Sequence, residues 1–253
     1  MGGMYRYDGT VTGLLTVLAE CVPKRILPGA IAVEPAPQPG LFAEVTVIET
    51  DQERAEAFWC QLTGCLTPES LVHIRYVLRA DHPGREMLIC RYLLLAWEVG
   101  RKICGMLAHP DVAPFWKLAR QVGGEAHRYK GFVRFQEVTG GFYYAAISPD
   151  HPVLPFIAPH FADRFRDQQW VIHDVKHGEG IVYDRQRREW LLLPMEATAD
   201  PELTPAEEQF QALWRSYFKT LAIAERENLP LQQGKVPLKV RPWLVEFSSA
   251  ETT

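Results

Sequence analysis

The alternation of apolar and polar positions divides the chain into two stretches of different character. In the first the spacing is mainly helical. Tyr5–Tyr7 reads as a short strand, Asp8-Gly9-Thr10 turns the chain, and Leu14, Leu15, Leu18 and Val22 follow on one face of a helix that Thr10 can cap. Residues 23–40 hold five prolines and two glycines and read as a loop. A strand is expected over Glu44–Thr50, and Asp51 caps a helix running through Leu62. Thr67-Pro68-Glu69-Ser70 opens another helix, with proline where its missing N–H is harmless, and Asp81–Arg85 breaks it. The next helix places Leu88, Tyr92, Leu95, Val99 and Ile103 on one stripe. His109-Pro110-Asp111 starts a further helix, to about Gln121.

In the second stretch the period shortens. Phe132–Val138 and Phe142–Ile147 are aromatic and β-branched runs joined by Thr139-Gly140-Gly141, a hairpin signal. A helix over 153–166 is bent or restarted at Pro159. Trp170–Val175, Gly180–Tyr183 and Glu189–Leu193 read as a meander, and 194–203 as a linker. In the last helix Thr204 caps, Pro205 takes the first position and Glu207 completes a capping box. Phe210, Leu213, Trp214, Tyr217, Phe218 and Leu221 then recur at helical spacing, as a core-facing stripe would. The expectation is one α+β domain over 1–253, with a helical half 1–124 and an α+β half 125–253. Its C-terminal amphipathic helix is expected to pack on the core.

Composition sets bounds on this picture. At 47% hydrophobic and 23% charged, with seven Trp, nine Tyr and twelve Phe, the chain can bury a sizeable core. A net charge of −4 argues against a protein that coats nucleic acid over its whole surface, but leaves room for a local basic groove. Five irregularly spaced cysteines favour reduced thiols, no secretory leader is visible, and Arg91, Glu98, Arg101 and Lys102 interrupt the most apolar helix. A soluble cytoplasmic protein with no membrane partner is expected.

Common reaction signatures are missing. Cys60 and Cys65 have no third cysteine nearby for an iron–sulfur triad or a zinc ribbon. Walker, G-x-G-x-x-G, H-E-x-x-H and G-x-S-x-G patterns do not occur. No cofactor and no metal is assigned. What stands out is that five of eight histidines fall within 127–177. There, Glu125–Phe135 interleaves cations with aromatics. As a strand it would put Phe132, Arg134 and Gln136 on one face, suited to stacking a base while holding its phosphate. The same pattern also describes an amphipathic hairpin with a buried aromatic face. Candidate nucleic-acid contacts are Arg128, Phe132, Arg134, Arg164, Arg226 and Asn228. Candidate catalytic groups are His127, His160, His173 and Asp174, the last two as an imidazole oriented by a carboxylate. Three histidines with Asp174 could also hold a divalent metal.

Several blocks carry a resemblance. They are Tyr7-Asp8-Gly9-Thr10 with Leu14-Leu15-Thr16, Glu125-x-His127-Arg128-x-x-Gly131-Phe132-x-Arg134-Phe135, His160-Phe161-x-x-Arg164, and Ile172-His173-Asp174. The last runs from Glu208 through Leu213-Trp214-x-x-Tyr217-Phe218 to Arg226-x-Asn228 and Pro237. In this order they resemble a bacterial family of DNA-metabolism and DNA-repair proteins. Its conserved domain of unknown function also occurs fused ahead of uracil-DNA glycosylase superfamily domains, and its genes are typically linked to a radical-SAM protein of DNA modification or repair. The resemblance implies a pathway rather than a reaction. The motifs of the glycosylase half are not found here, so uracil excision is not expected of this chain, and cluster chemistry would belong to the radical-SAM partner. The leading expectation is an accessory protein that binds single-stranded or damaged DNA, that partner, or both. The rival is a hydrolase acting on a nucleotide or phosphodiester through its His/Asp/Arg cluster, and a structural adaptor is a third.

Overall fold

The computed structural model describes residues 3–35, 44–196, 201–223 and 226–247. Parts of the expected loop at 23–40 and linker at 194–203 lie outside them. The chain is a mixed α+β protein whose contacts gather into two compact units, Met1–Gly124 and Glu125–Thr253.

The first unit is built on a parallel sheet of three strands, β1 (Met4–Tyr7), β2 (Ala30–Val33) and β3 (Val45–Val47), in the order β2-β1-β3. Parallel neighbours need a crossover, and α1 (Val11–Cys21) supplies it between β1 and β2. Thr10 caps α1 as the sequence suggests, its side chain accepting from Gly13 N. The expected loop at 23–40 contains β2, which the proline count hides. Ala30-Ile31-Ala32-Val33 finds its partners in β1, and such long-range pairing leaves little local signal.

Helices α2 (Gln52–Cys65), α3 (Pro68–Leu78) and α4 (Arg85–Val99) follow, with Asp51 and Thr67 capping the first two. The stripe expected on α4 is shifted. Ile89, Cys90, Tyr92, Leu93 and Ala96 are buried, whereas Leu88, Leu95 and Val99 are only half-buried. A 3-10 turn over Gly100–Gly105 ends the α-helical phase before Ile103, so one helical period cannot run through both segments.

Tyr7, at the end of β1, is buried and donates to Glu86 Oε1 at 3.1 Å. Burial, then the nearby Glu86 charge, pushes its phenol up to about 12. The folded-state value is raised, so this contribution is complete below the free phenol's range near pH 10 and is lost as pH climbs towards 12. Ionising a phenol raised this far costs the fold about 2–3 kcal/mol, a penalty felt only at alkaline pH. Tyr7→Phe should flatten the fall in stability between pH 10 and 12 seen by chemical denaturation; an unchanged alkaline slope would refute the assignment.

Helix α5 (Ala113–Phe132) is eleven residues longer at its C-terminal end than expected. The buried positions Phe115, Leu118, Ala119, Val122, Ala126, Tyr129 and Val133 keep three-to-four spacing throughout. Gly123, which resembles a breaker, is required by packing, since a Cβ there would lie 2.7 Å from the Tyr76 ring. Residues 125–132 are therefore helical, and the expected strand face of Phe132, Arg134 and Gln136 does not form.

The second unit holds one five-stranded mixed sheet, β4 (Gln136–Val138), β5 (Phe142–Ile147), β6 (Trp170–Asp174), β7 (Glu179–Asp184) and β8 (Glu189–Pro194), in that order. The β4–β5 hairpin turns through Gly140 and Gly141, both at positive φ. Strands β6, β7 and β8 form the expected antiparallel meander. Joining the two is a parallel β5–β6 pair whose crossover is α6 (Leu154–Arg164), a single helix through Pro159. The register aligns Ala145 with Ile172 and Ile172 with Ile181, all buried, and Leu154, Ile157, Ala158 and Phe161 of α6 are buried as well. After the sheet come α7 (Pro205–Leu221) and α8 (Leu229–Lys235).

The stripe of α7 expected to face the core is instead exposed. Leu213 is 70% exposed, Phe210 62%, Leu221 59% and Tyr217 56%, while Trp214 and Phe218 are also exposed and Gln211 is the buried position. Periodicity reports amphipathicity and leaves open what covers the apolar face. The capping box is half formed as well. Thr204 accepts from Glu207 N, but the Glu207 carboxylate turns to the backbone N–H of Glu137 at 3.2 Å. Two elements are thereby tied instead of one cap being closed.

Candidate nucleic-acid interface

The C-terminal turns of α5 set the site. With Ala126, Tyr129 and Val133 buried on one side, the intervening His127, Arg128 and Lys130 emerge on the other. They line a cleft of about 1310 Å³ together with Phe132, Arg134, His160 and Arg164, so six of the sequence-derived candidates share one cavity. Arg128 and Phe132 stand one helical turn apart, an arrangement that comes from the helix and not from a strand. His160 and Arg164 are likewise one turn apart on α6.

An aromatic cluster backs the cleft. The Phe135 ring lies 5.5 Å from Phe161, 5.3 Å from Phe165 and 5.8 Å from Trp170, and Trp170 stacks on Tyr183 at 5.0 Å. Tyr143 and Phe210 complete seven aromatic residues at the lining. The charged lining is Arg128, Lys130, Arg134, Arg164 and Lys235, with no aspartate or glutamate among the lining residues. In a chain of net charge −4 this is a segregation of sign. His160, edge-on to Phe161 at 5.0 Å, has its pKa lowered by burial and then by the Lys130 and Arg164 charges, which favours the neutral ring.

Other candidates fall elsewhere. His173 and Asp174 are adjacent on β6 and so point to opposite faces of the sheet. His173 bonds Tyr144 Oη at 2.8 Å through Nδ1 and Met195 O at 3.2 Å through Nε2. Asp174, fully buried, accepts from the backbone N–H groups of Lys176 and His177 and meets His177 Nδ1 at 2.6 Å. The expected carboxylate–imidazole pair does not form, and neither residue lines the cleft. A catalytic centre of His127, His160, His173 and Asp174 is not assembled. The idea of a metal held by three histidines and Asp174 fails likewise, since among the described residues no three His, Cys, Asp or Glu side chains gather as a metal would need.

Arg226 and Asn228 line a separate cleft of about 860 Å³ between α7 and α8, where Asn228 caps α8 by accepting from Leu231 N at 3.0 Å. Lys235 lines both clefts, and Arg134, Phe135 and Phe210 line the first and a smaller cleft that also touches Trp214. Lys130 and Phe135 belong to the same cation–aromatic run as Arg128, so the sequence holds a signal for them. Trp170 and Lys235 have none, being brought to the cleft by the sheet register and by α8.

One residue behind the cleft organises the loop before α6. Glu125 is buried and accepts from the backbone N–H groups of Asp150 and His151, each at 2.9 Å, and from Lys239 Nζ at 3.2 Å. Residues 83–246, which include every element of the cleft, match a family described as a domain of unknown function, DUF4130. The chain belongs to the DUF4130 family. The match begins just before α4 and leaves the β1–α1 block outside it. No curated protein and no solved structure matches the chain. Among the described residues no helix is long and apolar enough to cross a membrane.

Proposed function

We propose that this DUF4130 protein serves DNA repair or modification by binding single-stranded or damaged DNA in the α5–α6 cleft, alongside a radical-SAM partner. The observation that carries the binding half is the lining of the cleft: five Lys or Arg, seven aromatic rings and no carboxylate. Fixed cations recognise backbone phosphates, and aromatic faces recognise unstacked bases. Bases within an intact duplex are stacked on their neighbours, so rings deep in a cleft favour single strands or an extruded base. The repair pathway and the radical-SAM partner rest on the resemblance of the sequence blocks, four of which fall in or run through the matched region. A hydrolase reading loses its support with the burial of His173 and Asp174.

Fluorescence anisotropy with a labelled oligo(dT) and a duplex of equal length tests the proposal. The single strand should bind more tightly, with affinity falling as salt rises. The triple substitution Arg128→Gln, Lys130→Gln, Arg164→Gln should lower the slope of log K against log salt by about 2, near 0.7 per phosphate contact. No affinity at low salt, or an unchanged slope, would remove the reading.

A further inference from the structure

Where the first cleft meets the smaller one, two donors from different elements converge on one carboxylate. Arg134 Nη2 donates to Glu246 Oε1 at 3.0 Å, and the Trp214 indole N–H donates to Glu246 Oε2 at 3.3 Å. Arg134 is held in place from the other side, donating through Nη1 to Gly131 O at 2.8 Å. Arg134 lines the first and the smaller cleft, and Trp214 lines the smaller cleft and the α7–α8 cleft. Joined through Glu246, Arg134 and Trp214 both line the smaller cleft, which shares Arg134, Phe135 and Phe210 with the first.

We propose that Arg134 and Trp214 form a phosphate seat on the nucleic-acid path, and that Glu246 occupies it as an intramolecular surrogate that a backbone phosphodiester displaces. This rests on the nucleic-acid reading of the cleft. The chemistry of the exchange is matched: a carboxylate and a phosphodiester each carry one negative charge and present two acceptor oxygens to a fork of N–H donors. Arg134 keeps an anionic partner throughout, so its own charge is not stranded. The Arg134 side chain is 33% exposed and that of Glu246 8%, so a phosphate can approach the guanidinium from solvent while the carboxylate must swing outward to release it. The surrogate is anionic at neutral pH. Burial opposes ionisation of Glu246, but hydrogen bonds from its own backbone and from Arg134, with the Arg134 charge and the Trp214 bond, outweigh it and hold its pKa below the usual range. The neighbouring Phe247 has its own holds, 5.9 Å from the Phe218 ring and with Arg241 4.6 Å over its face. The carboxylate can thus leave the seat while the segment stays in place.

Oligo(dT) titrations at three salt concentrations, with wild type, Glu246→Gln and the double variant Arg134→Gln/Glu246→Gln, test this. Glu246→Gln should bind about 5–10-fold more tightly, as expected when the seat goes from roughly one-tenth to fully available. Its salt slope should steepen by about 0.7, one additional phosphate contact. The double variant should lose both gains. If wild type binds and Glu246→Gln binds equally or more weakly, the surrogate is overturned while the cleft reading stands. A gain that survives in the double variant overturns the seat. Absence of binding by wild type and Glu246→Gln alike removes the cleft reading and this inference together.

Discussion

Glu125→Ala is expected to destabilise the second unit by about 3–5 kcal/mol, the range for removing one partner of a buried charged hydrogen-bond network. Glu125 is 2% exposed, and both of its carboxylate oxygens are committed to backbone N–H groups of the Asp150–His151 loop. Alanine leaves those two donors without their acceptor and takes from Lys239 one of its two acidic partners, the other being Asp150. Glu125→Gln keeps one acceptor oxygen and should cost about half as much. Denaturant titration followed by far-UV circular dichroism reads both, and should Glu125→Ala fail to fold, the glutamine variant still reports. A loss below about 1 kcal/mol for alanine would show that the loop does not depend on this acceptor. The consequence reaches the cleft, because that loop leads into α6 and thereby sets His160 and Arg164. Oligonucleotide affinity of the glutamine variant should fall even where the fold is retained.

Trp170→Ala is expected to cost about 3–5 kcal/mol, as large-to-small changes at buried aromatics do. Trp170 is fully buried, stacks on Tyr183 with ring planes 9° apart and meets Phe135 and Phe161. It also lines the cleft, so the void left by alanine opens into the proposed binding space. Trp170→Phe separates packing from polarity. The indole N–H has no hydrogen-bond partner among the described residues, so phenylalanine should cost only the lost ring volume, about 1–2 kcal/mol. A phenylalanine variant as damaged as alanine in thermal melts would mean that the N–H carries a contact the packing account omits.

Much of the architecture is local and is legible in the sequence. Thr10, Asp51, Thr67 and Thr204 each cap the helix that follows, because a hydroxyl or carboxylate one step before a helix satisfies an orphan N–H whatever the rest of the fold does. The meander from Trp170 to Pro194 and the Gly140-Gly141 turn are legible for the same reason. The helix through 125–132 is hidden because its glycines mimic a stop, whereas Gly123 admits a ring from another helix. Strand β2 is hidden because its partner lies 26 residues earlier, as the Met4–Ala30 register shows.

The cation–aromatic run at 127–135 marks one wall of the site from the sequence, since its residues lie close together in the chain. The tertiary structure decides the other walls. Parallel pairing of β5 with β6 carries Trp170 to the lining, the crossover brings His160 and Arg164 beside α5, and the segment after α8 delivers Glu246 to Arg134. Periodicity identifies α7 as amphipathic, and only the fold reveals that its aromatic face is left exposed. The division follows from range: caps, turns and helical stripes arise between residues a few positions apart, while a cavity is a relation among residues that the chain itself keeps far apart.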